Sequence, residues 1–412
     1  MGLEPIQGNI LLDLSALLAM AERRTPRGIP RVELAYAKHL LATAPDRLGF
    51  TGYWGRLGRV PRDAAIALVE ALDACWTGRG GSGPAGDRAA EIARRLHRDI
   101  LLRGDAPLYA RHPPAIANTV YVIVSHPLLG RMRTLQRVKE RTGARFLCLI
   151  HDLIGIEYPH YVPRRQRLRH HDRMESVARF ADAVIVNSAA TGATFRRRYE
   201  PAGFKAPLVV APLGIDLGSA PAAAPAGDRP YFVCVATIEP RKNHALLFNL
   251  WQRLAERLGP HAPRLVLVGH RGWQSQSILR PVSRSFLLSA LIEEHNMLPD
   301  AAVAELLVGA RALLYPSFAE GYGLPVAEAL ALGVPVICSD LPELREVGKS
   351  VPEYFDPRSE QAWEDAVLDY AKPASIRRQA QLGRLAGWHA PSWEQHFAVV
   401  QPVIEETLGS PR

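Results

Sequence analysis

Two glutamates, Glu320 and Glu328, are eight residues apart on either side of a Gly-Tyr-Gly-Leu-Pro turn. A carboxylate can accept hydrogen bonds from two neighbouring hydroxyl groups, which suits a sugar ring. Gly321 and Gly323 permit backbone conformations that side chains would forbid, so the N–H groups of the turn can reach a phosphate or sugar oxygen. The spacing therefore indicates a site for a sugar-bearing ligand. The alternative is that Glu320 caps a helix and Glu328 faces solvent.

A cationic pair precedes this block. Arg241 and Lys242 follow the apolar run Tyr231–Ala236 in "VATIEPRKNHALLF", together with Thr237 and Glu239. Arginine offers a planar fork of donors and lysine a compact charge, and the start of a helix adds its dipole to both. The pattern is typical of a diphosphate clamp. A solvated surface pair is the alternative.

The elements that must position these groups alternate along most of the chain. The predicted strands are Gly8–Leu12, Val120–Ser125, Phe146–His151, Ala183–Val186, Leu208–Ala211, Tyr231–Ala236, Leu265–Val268, Ala312–Tyr315 and Pro335–Cys338. The predicted helices are Arg31–Leu41, Arg62–Trp76, Ala89–Leu102, Ala245–Leu258 and Pro325–Leu332. Such alternation predicts an α/β fold with parallel sheets and helices on both faces. An Ala/Pro/Gly-rich linker, residues 214–230, separates two such series, which predicts two doubly wound domains.

Both motifs fall where strands end. Glu320 follows the predicted strand Ala312–Tyr315, and Pro325 suits the first turn of the next helix. Arg241 and Lys242 follow another predicted strand of the same half. Open α/β sheets bind ligands outside the carboxyl ends of their strands, so the two motifs are expected to serve one site.

A third motif is expected to bind nothing. Residues Gly78 to Gly83, "GRGGSG", match the dinucleotide fingerprint G-x-G-x-x-G. That fingerprint requires a strand before it and a helix start after it. Here it follows a helical pattern ending at Trp76 and lies in a Gly/Ser/Pro-rich segment, which predicts a flexible connection.

Composition indicates a soluble, intracellular class of protein. The chain has 412 residues, 48% of them hydrophobic and 22% charged. Its apolar runs are far shorter than a membrane span, and its start lacks the pattern of an export signal. Four widely separated cysteines without a C-x-x-C pair favour free thiols, and so a cytoplasmic location.

The net charge of +9 is unevenly distributed. Residues 1–210 contain 32 basic and 19 acidic residues, whereas the remainder contains 18 and 22. One interpretation is an arginine-rich surface with no special partner. The other is contact with an anionic membrane face or a phosphate-bearing acceptor, for which "RRQRLRHHDRMESVARF" is a candidate. Nucleic acid is disfavoured, since no aromatic-interleaved basic motif or zinc-finger spacing occurs.

In combination, the two motifs resemble the GT-B glycosyltransferases of family GT4, a group of retaining enzymes. Further matches are "LVLVGHRGW" in the second half and "LIHDLIGIEYPHYVP", "ADAVIVNSAAT" and "VVAPLGID" in the first. The resemblance implies two Rossmann-like domains facing each other across a cleft. Residues 1–212 would bind the acceptor and residues 213–390 the nucleotide-sugar donor. The helical pattern in 391–412, with Trp393 as an anchor, would pack back on the first domain or close the second.

The resemblance also implies residue roles. Arg241 and Lys242 would hold the donor diphosphate, Glu320 would face the donor sugar, and Glu328 would bind the ribose. Gly28 and Arg31, in "TPRGIPRVELAY", match a glycine-containing loop that approaches the diphosphate from the acceptor side. The implied catalytic residues are Glu320, His151, Arg241 and Lys242. The implied donor-side residues are Glu328, Gly321, Tyr322, Gly323, Leu324, Gly28 and Thr237, and the acceptor-side residues are Arg31 and Asp152.

Several of these assignments have plain alternatives. His151, in "LIHDL", matches a histidine near the reacting centre, but a histidine at a strand end can also be purely structural. Asp152 would orient its neighbours rather than act as a nucleophile, and Arg31 can equally be a surface residue. The family's F-x-G-x-v element is replaced here by "SALIEEHNMLPDAAVAELL", so the resemblance says least about the nucleobase.

The sequence thus predicts a retaining glycosyltransferase that moves a hexosyl or deoxyhexosyl unit, with mannosyl or rhamnosyl favoured. The acceptor would be a glycan or lipid-linked glycan of bacterial surface polysaccharide synthesis. No D-x-D motif occurs in the chain, so neither a metal nor another cofactor is expected. The alternatives are a sugar-nucleotide epimerase of similar fold and a non-catalytic nucleotide-sugar-binding partner. A phosphorylase is disfavoured because no lysine motif for a pyridoxal cofactor is evident.

Overall fold

The computed structural model describes residues 9–23, 25, 28–77, 82–103, 119–216, 229–296 and 298–409. The chain divides into two units, Met1–Gly214 with Trp393–Arg412, and Ile215–Ser392. Most of the predicted linker, residues 217–228, lies outside the described residues. Each unit is built on its own sheet.

In the first unit, seven described strands form one sheet in the order β3-β2-β1-β4-β5-β6-β7. They are β1 Asn9–Asp13, β2 Leu48–Trp54, β3 Arg56–Val60, β4 Thr119–Ile123, β5 Arg145–Ile150, β6 Ala183–Val186 and β7 Leu208–Val210. All neighbours are parallel except β2 and β3, which form an antiparallel pair around Gly55. The strand order reverses between β1 and β4.

Helices cover this sheet because its central strands are apolar on both faces. All residues of β4 and β6 are buried, as parallel strands require when they have no solvent-facing side. The covering helices are α1 Ser15–Met20, α2 Gly28–Thr43, α3 Arg62–Thr77, α4 Ser82–Arg103, α5 Met132–Thr142, α6 Ile154–Glu157, α7 Arg164–Phe180 and α8 Ala189–Tyr199. The core of this unit includes Tyr121, Phe146 and Phe195, all fully buried.

In the second unit, six described strands form a parallel sheet in the order β10-β9-β8-β11-β12-β13. They are β8 Tyr231–Val235, β9 Arg264–Val268, β10 Ile292–His295, β11 Leu313–Tyr315, β12 Val336–Ser339 and β13 Glu353–Phe355. This order is that of a dinucleotide-binding Rossmann sheet, with its reversal between β8 and β11. A crevice therefore forms outside the carboxyl ends of these two strands.

The remaining helices follow in chain order. They are α9 His244–Leu258, α10 Ser275–Arg284, α11 Phe286–Leu291, α12 Asp300–Val308, α13 Leu324–Ala331, α14 Pro342–Gly348, α15 Glu360–Ala371, α16 Ile376–Leu385 and α17 Trp393–Gly409. Trp251 of α9 and Trp363 of α15 are fully buried in the core of the second unit. They anchor two of the helices that cover its sheet.

The last helix, α17, packs on the first unit. Its His396 donates from Nδ1 to the carbonyl of Pro212 at 2.9 Å, so Nε2 accepts from the Tyr36 hydroxyl, also at 2.9 Å. The Phe397 ring stacks on His39. At the far end, the Arg145 guanidinium donates to the carbonyls of Thr407 and Leu408, which caps the helix C-terminus.

The prediction of two doubly wound α/β domains is confirmed, with local corrections. Strands β2, β3, β10 and β13 were not predicted. Ser82 and Gly83 lie in the first turn of α4 rather than in a loop, while Gly78–Gly81 lie outside the described residues. Gly28 and Arg31 lie in the first turn of α2 rather than in a loop. In the part of the chain that the structure describes, no helix is long and apolar enough to cross a membrane.

Candidate active site

The candidate site lies at the strand-order reversal of the second sheet. The segment after β8 forms a short 3-10 turn, Pro240–Lys242, that carries Arg241 and Lys242. Asn243 then adopts a left-handed conformation with φ of 53°, and α9 begins at His244. The cationic pair therefore precedes the helix instead of forming its first turn. The loop after β11 brings Glu320 to the same edge of the sheet.

Glu320 is held by both cations. Nζ of Lys242 donates to Oε1 of Glu320 at 2.5 Å and to the Tyr315 hydroxyl at 2.7 Å. Nη1 of Arg241 donates to Oε2 of Glu320 at 3.1 Å and to the carbonyl of Ala319 at 2.7 Å. The side chains of Lys242 and Glu320 are only 8% and 7% exposed. The two sequence motifs thus meet in a buried ion pair.

The charges of this cluster balance. Nη2 of Arg241 also donates to Oε1 of Glu239 at 2.8 Å, so two cations face two carboxylates. The N–H of Phe318 donates to the carbonyl of Arg241 at 2.8 Å and joins the two loops. An incoming anion would therefore have to share Arg241 and Lys242 with carboxylates that already neutralise them. The remaining positive potential would come from backbone N–H groups.

Burial and charge set the protonation states here. Burial alone would raise the pKa of Glu320, but the charges of Lys242 and Arg241 outweigh it and lower the pKa to about 2. Burial lowers the pKa of Lys242, and the charge of Glu320 opposes that shift. Burial raises the pKa of the Tyr315 hydroxyl well above its usual range. At neutral pH, Glu320 is a carboxylate and Tyr315 is a neutral phenol.

The Gly-Tyr-Gly-Leu-Pro turn supplies those backbone N–H groups. Gly323 has φ of +100°, a backbone conformation that favours glycine, and a Cβ there would also displace Cδ2 of Leu344, which would lie 2.4 Å away. Helix α13 begins at Leu324, directly after this residue, and the first N–H groups of a helix lack partners within it. Tyr322, within the turn, is buried. Glu328 is half-buried one turn further along α13.

The loop after β9 contacts the residues that lie between β8 and the pair Arg241 and Lys242. Oγ1 of Thr237 lies 3.4 Å from Nδ1 of His270. Gly269 has φ of +154°, and a Cβ on it would lie 2.0 Å from the carbonyl oxygen of Ala236. Only glycine permits this approach of two backbones. The loops after β8, β9 and β11 therefore meet at one edge of the sheet.

The sequence patterns missed one carboxyl group at this edge. Glu343 lies in the first turn of α14, half-buried. Burial, followed by repulsion from the charge of Glu320, raises the pKa of Glu343 to about 7. Its position after β12 matches that of Glu320 after β11, so the rule that ligands bind at strand carboxyl ends could have found it.

The other predicted residues belong to the first unit. His151 follows β5 and is buried, and its Nε2 donates to the carbonyl of Val124 at 2.8 Å. A carbonyl only accepts, so in the neutral ring Nδ1 keeps its lone pair. Oδ1 of Asp152 accepts from the N–H of Ile154 at 3.0 Å. His151 and Asp152 thus lie next to each other at the end of one strand, whereas Gly28 and Arg31 share the first turn of α2.

Across the described ranges, no group of three His, Cys, Asp or Glu side chains is arranged to hold a metal ion.

The second unit matches a known family. The model of "Glycosyl transferases group 1" matches residues 220–381, which contain Arg241, Lys242, Glu320 and Glu328. This segment is a group 1 glycosyltransferase domain. The group 1 domain includes β8 to β13 and the crevice outside β8 and β11. The resemblance to GT-B glycosyltransferases of family GT4 is confirmed.

Curated relatives match the chain over part of its length. The chain is 35% identical over 164 residues to O-antigen chain mannosyltransferase B of Escherichia coli, which covers 40% of this chain and 42% of that protein. It is 30% identical over 153 residues to O-antigen chain mannosyltransferase RfbU of Salmonella typhimurium, 36% of this chain and 40% of that protein. The match thus spans less than half the length of either relative.

Solved structures share the fold over nearly the full chain. Sucrose-phosphate synthase from Thermosynechococcus elongatus matches 98% of this chain and 100% of its own, with a TM-score of 0.62 and 18% identity. HepE from Anabaena, in complex with UDP-glucose, matches 98% of this chain and 100% of its own, with a TM-score of 0.61 and 16% identity. Trehalose 6-phosphate synthase from Burkholderia multivorans gives 0.64 at 12% identity, over 97% and 99% of the two chains. These matches support the GT-B fold.

Proposed function

We propose that this chain is a retaining glycosyltransferase that transfers a mannosyl or related hexosyl or deoxyhexosyl unit from a nucleotide-diphosphate sugar. The acceptor would be a glycan or lipid-linked glycan of bacterial surface polysaccharide synthesis. The observation that carries the proposal is the convergence of Arg241, Lys242 and Glu320 at the strand-order reversal of a group 1 domain. The mannosyl preference rests on relatives that are O-antigen mannosyltransferases.

In this proposal the donor diphosphate binds against Arg241, Lys242 and the N–H groups of the turn from Gly321 to Leu324. The bond between the anomeric carbon and the diphosphate oxygen breaks, and the cations and N–H groups stabilise the charge that develops on that oxygen. The acceptor hydroxyl adds on the same face, and its proton passes to the leaving diphosphate. Glu320 holds a donor-sugar hydroxyl and Glu328 the ribose. No step in this scheme requires a metal ion.

Calorimetry with GDP, UDP, dTDP and ADP, each with its matching nucleotide sugar, tests the proposal. We expect one diphosphate to bind tightly without added metal and equally well with magnesium, because the N–H groups of the turn, together with cations shared with Glu239 and Glu320, stabilise its charge. Mannosyl specificity predicts that this diphosphate is GDP. Transfer from the corresponding sugar nucleotide to a polysaccharide acceptor, with the anomeric configuration followed by NMR, tests retention.

Matched variants identify the donor site. Lys242→Met should abolish the binding, whereas Lys372→Met, which removes an exposed lysine of the same unit, should leave it unchanged. Binding without turnover of any donor would favour the non-catalytic partner. Failure of every nucleotide to bind would refute the donor site itself, and a strict magnesium requirement would refute metal independence.

We also propose that the first unit contacts the anionic face of a membrane. Along the first half of α7, Arg164, Arg165 and Arg169 are exposed, and Leu168 between them is 53% exposed. Arginines around an exposed apolar side chain suit an anionic lipid surface, where each basic residue contributes about 1 kcal/mol to the free energy of membrane binding.

The protein should sediment with phosphatidylserine-containing vesicles at low salt and not with phosphatidylcholine vesicles. Equal binding to both, or to neither, would contradict this contact.

A further inference from the structure

The first sheet has its own strand-order reversal, between β1 and β4. Ser125 and His126 follow β4 there, just as His151 follows the adjacent strand β5. Helix α7 adds two side chains: the His170 ring lies 3.1 Å from where a Cβ of Gly155 would be, and Arg173 lies 3.7 Å from that of Gly130. Ligands of open α/β sheets bind at such a reversal, so this cluster occupies a binding position in its own unit.

Three nitrogen atoms of the cluster have no hydrogen-bond partner among the described residues. They are Nε2 of His126, Nε2 of His170 and Nε of Arg173, and all three are buried. Each of the two histidines is only 7% exposed. An arginine Nε can only donate, and a buried donor without an acceptor is costly. The cluster therefore requires a group that accepts hydrogen bonds.

The charges around the cluster favour an anion. The ring centroid of His126 lies 5.3 Å from that of His151 and 5.9 Å from that of His170. Burial, and then the charges of His151, His170 and Arg173, lower the pKa of His126 well below its usual range. The nearby carboxylate of Asp152 is 3.9 Å from Nε2 of His170, too far for a hydrogen bond. Burial also lowers the pKa of His151 and of His170, so at neutral pH the three rings are uncharged and Arg173 is the cation that an anion beside them would neutralise.

We propose that His126, His170 and Arg173 form a site for a phosphoryl group carried by the acceptor. In the tautomers that carry the proton on Nε2, His126 and His170 add two donors to that of Arg173. Three donors on three side chains suit a tetrahedral group with oxygens in several directions better than a planar carboxylate, and arginine forms strong charge-assisted bonds to phosphate. The assignment to the acceptor rests on the proposed function, since that scheme gives the first unit to the acceptor. The anion site itself can be tested without it.

The first test uses the wild-type chain with its histidines isotopically labelled. Inorganic phosphate is added while the ring signals are followed by NMR over a range of pH. We expect the signals of His126 and His170 to shift saturably and their pKa values to rise, because a bound anion stabilises the protonated rings. His171 of the same helix, whose side chain is 45% exposed, is the internal control. If His126 and His170 respond no more than His171, the phosphate is an adventitious ion only, and the proposal fails.

Variants on α7 supply a matched pair. Arg173→Gln should weaken phosphate binding about tenfold or more, because a charge-assisted hydrogen bond is lost. Arg165→Gln removes the same charge from the exposed face of the helix and should change nothing. Asp152→Asn should strengthen binding, because a carboxylate beside the site is removed while the acceptor for Ile154 is kept. If the two arginine variants lost phosphate affinity equally, the effect would come from surface charge alone, and the proposed site would be wrong.

Further probes separate the sources of the phosphoryl group. Tighter binding of dodecyl phosphate than of inorganic phosphate would indicate a lipid-borne group, and tighter binding of mannose 1-phosphate a phosphorylated sugar. Tighter binding of glucuronate than of any phosphate would overturn the phosphoryl assignment. Lys242→Met should bind inorganic phosphate at the first unit as the wild type does, so failure of the donor site and failure of this site are distinguishable. Loss of GDP binding in Arg173→Gln would instead assign the site to the donor.

Discussion

Lys242→Met is expected to lower the free energy of unfolding of the second unit by about 3–5 kcal/mol and to abolish binding of the donor diphosphate. The substitution leaves Glu320 buried with Arg241 as its remaining ion-pair partner, and it removes the donor to the Tyr315 hydroxyl. Removing one member of a buried pair is costly because the other keeps its desolvation penalty. Native-state hydrogen exchange at the amides of β8 and β11 measures the loss in this unit alone.

A double variant separates stability from binding. Lys242→Met combined with Glu320→Gln should recover most of the lost stability, because a neutral amide needs no counter-charge. Donor binding should stay absent, because the cation is still missing. Lys372→Met controls for the loss of a lysine in this unit. A Lys242→Met protein that exchanges its β8 and β11 amides as slowly as the wild type would show that the ion pair contributes no stability.

Gly269→Ala is expected to destabilise the second unit by about 3 kcal/mol or more and to lose nucleotide binding with it. A Cβ at this position would lie 2.0 Å from the carbonyl oxygen of Ala236, and φ of +154° is strained for any L side chain. The clash is with backbone, which cannot move aside as a flexible side chain can. Ala236 directly precedes Thr237, so the displacement would propagate into the segment that carries Arg241.

The control for this prediction is another glycine of the same unit. Gly383 lies in α16, and a Cβ there would have no atom within 4 Å. Gly383→Ala should therefore be neutral or stabilise by about 0.5–1 kcal/mol, as alanine favours a helix. The midpoint of thermal unfolding and the calorimetric affinity for the nucleotide report on both variants. A Gly269→Ala protein with unchanged affinity would mean that the loops after β8 and β9 can separate without harm to the site.

The central strands were predictable because they are continuous apolar runs. Residues 183–186 were predicted as a strand with the bounds that the structure has, and β5 and β8 within one residue at each end. The edge strands carry weaker signals. Strand β10, "IEEH", has three polar residues of four, and β13 has only three residues. Their conformation depends on pairing with a neighbour, which no local pattern encodes.

The antiparallel pair was missed for another reason. Strand β2, "LGFTGYW", contains two glycines, which disfavour a strand, and a single glycine, Gly55, separates it from β3. A Cβ on Gly52 would lie 2.4 Å from Cδ1 of Leu18, so that side chain would have to shift. The glycine that weakened the strand prediction thus permits the close packing of α1 on the sheet.

At the candidate site, residue types and spacing predicted the participants but not their partners. The positions of Arg241, Lys242 and Glu320 at strand ends followed from the apolar runs before them. The sequence did not predict the hydrogen bonds of Lys242 to Tyr315 and Glu320. These bonds depend on the tertiary fold, which brings together two loops that are distant in the chain. The roles given to these residues stay predictions until donor binding is measured.

The same limit applies to the histidine cluster of the first unit. His126 follows β4 as His151 follows β5, so the strand-end rule alone could have singled it out. His170 lies within a helix rich in arginine, where no spacing sets it apart. Its place in the cluster depends on the packing of α7, which brings the His170 ring next to Gly155.

The position of α17 has a consequence for biosynthesis. His396, Val400 and Ile404 of this helix are buried against the first unit, yet they follow the whole second unit in the chain. During translation, the first sheet emerges from the ribosome long before the helix that covers part of it. The continuous segment Ile215–Ser392 can complete its own core while that surface is still open. Nascent chains stalled before residue 393 would therefore present an apolar patch on the first unit, a natural target for chaperones.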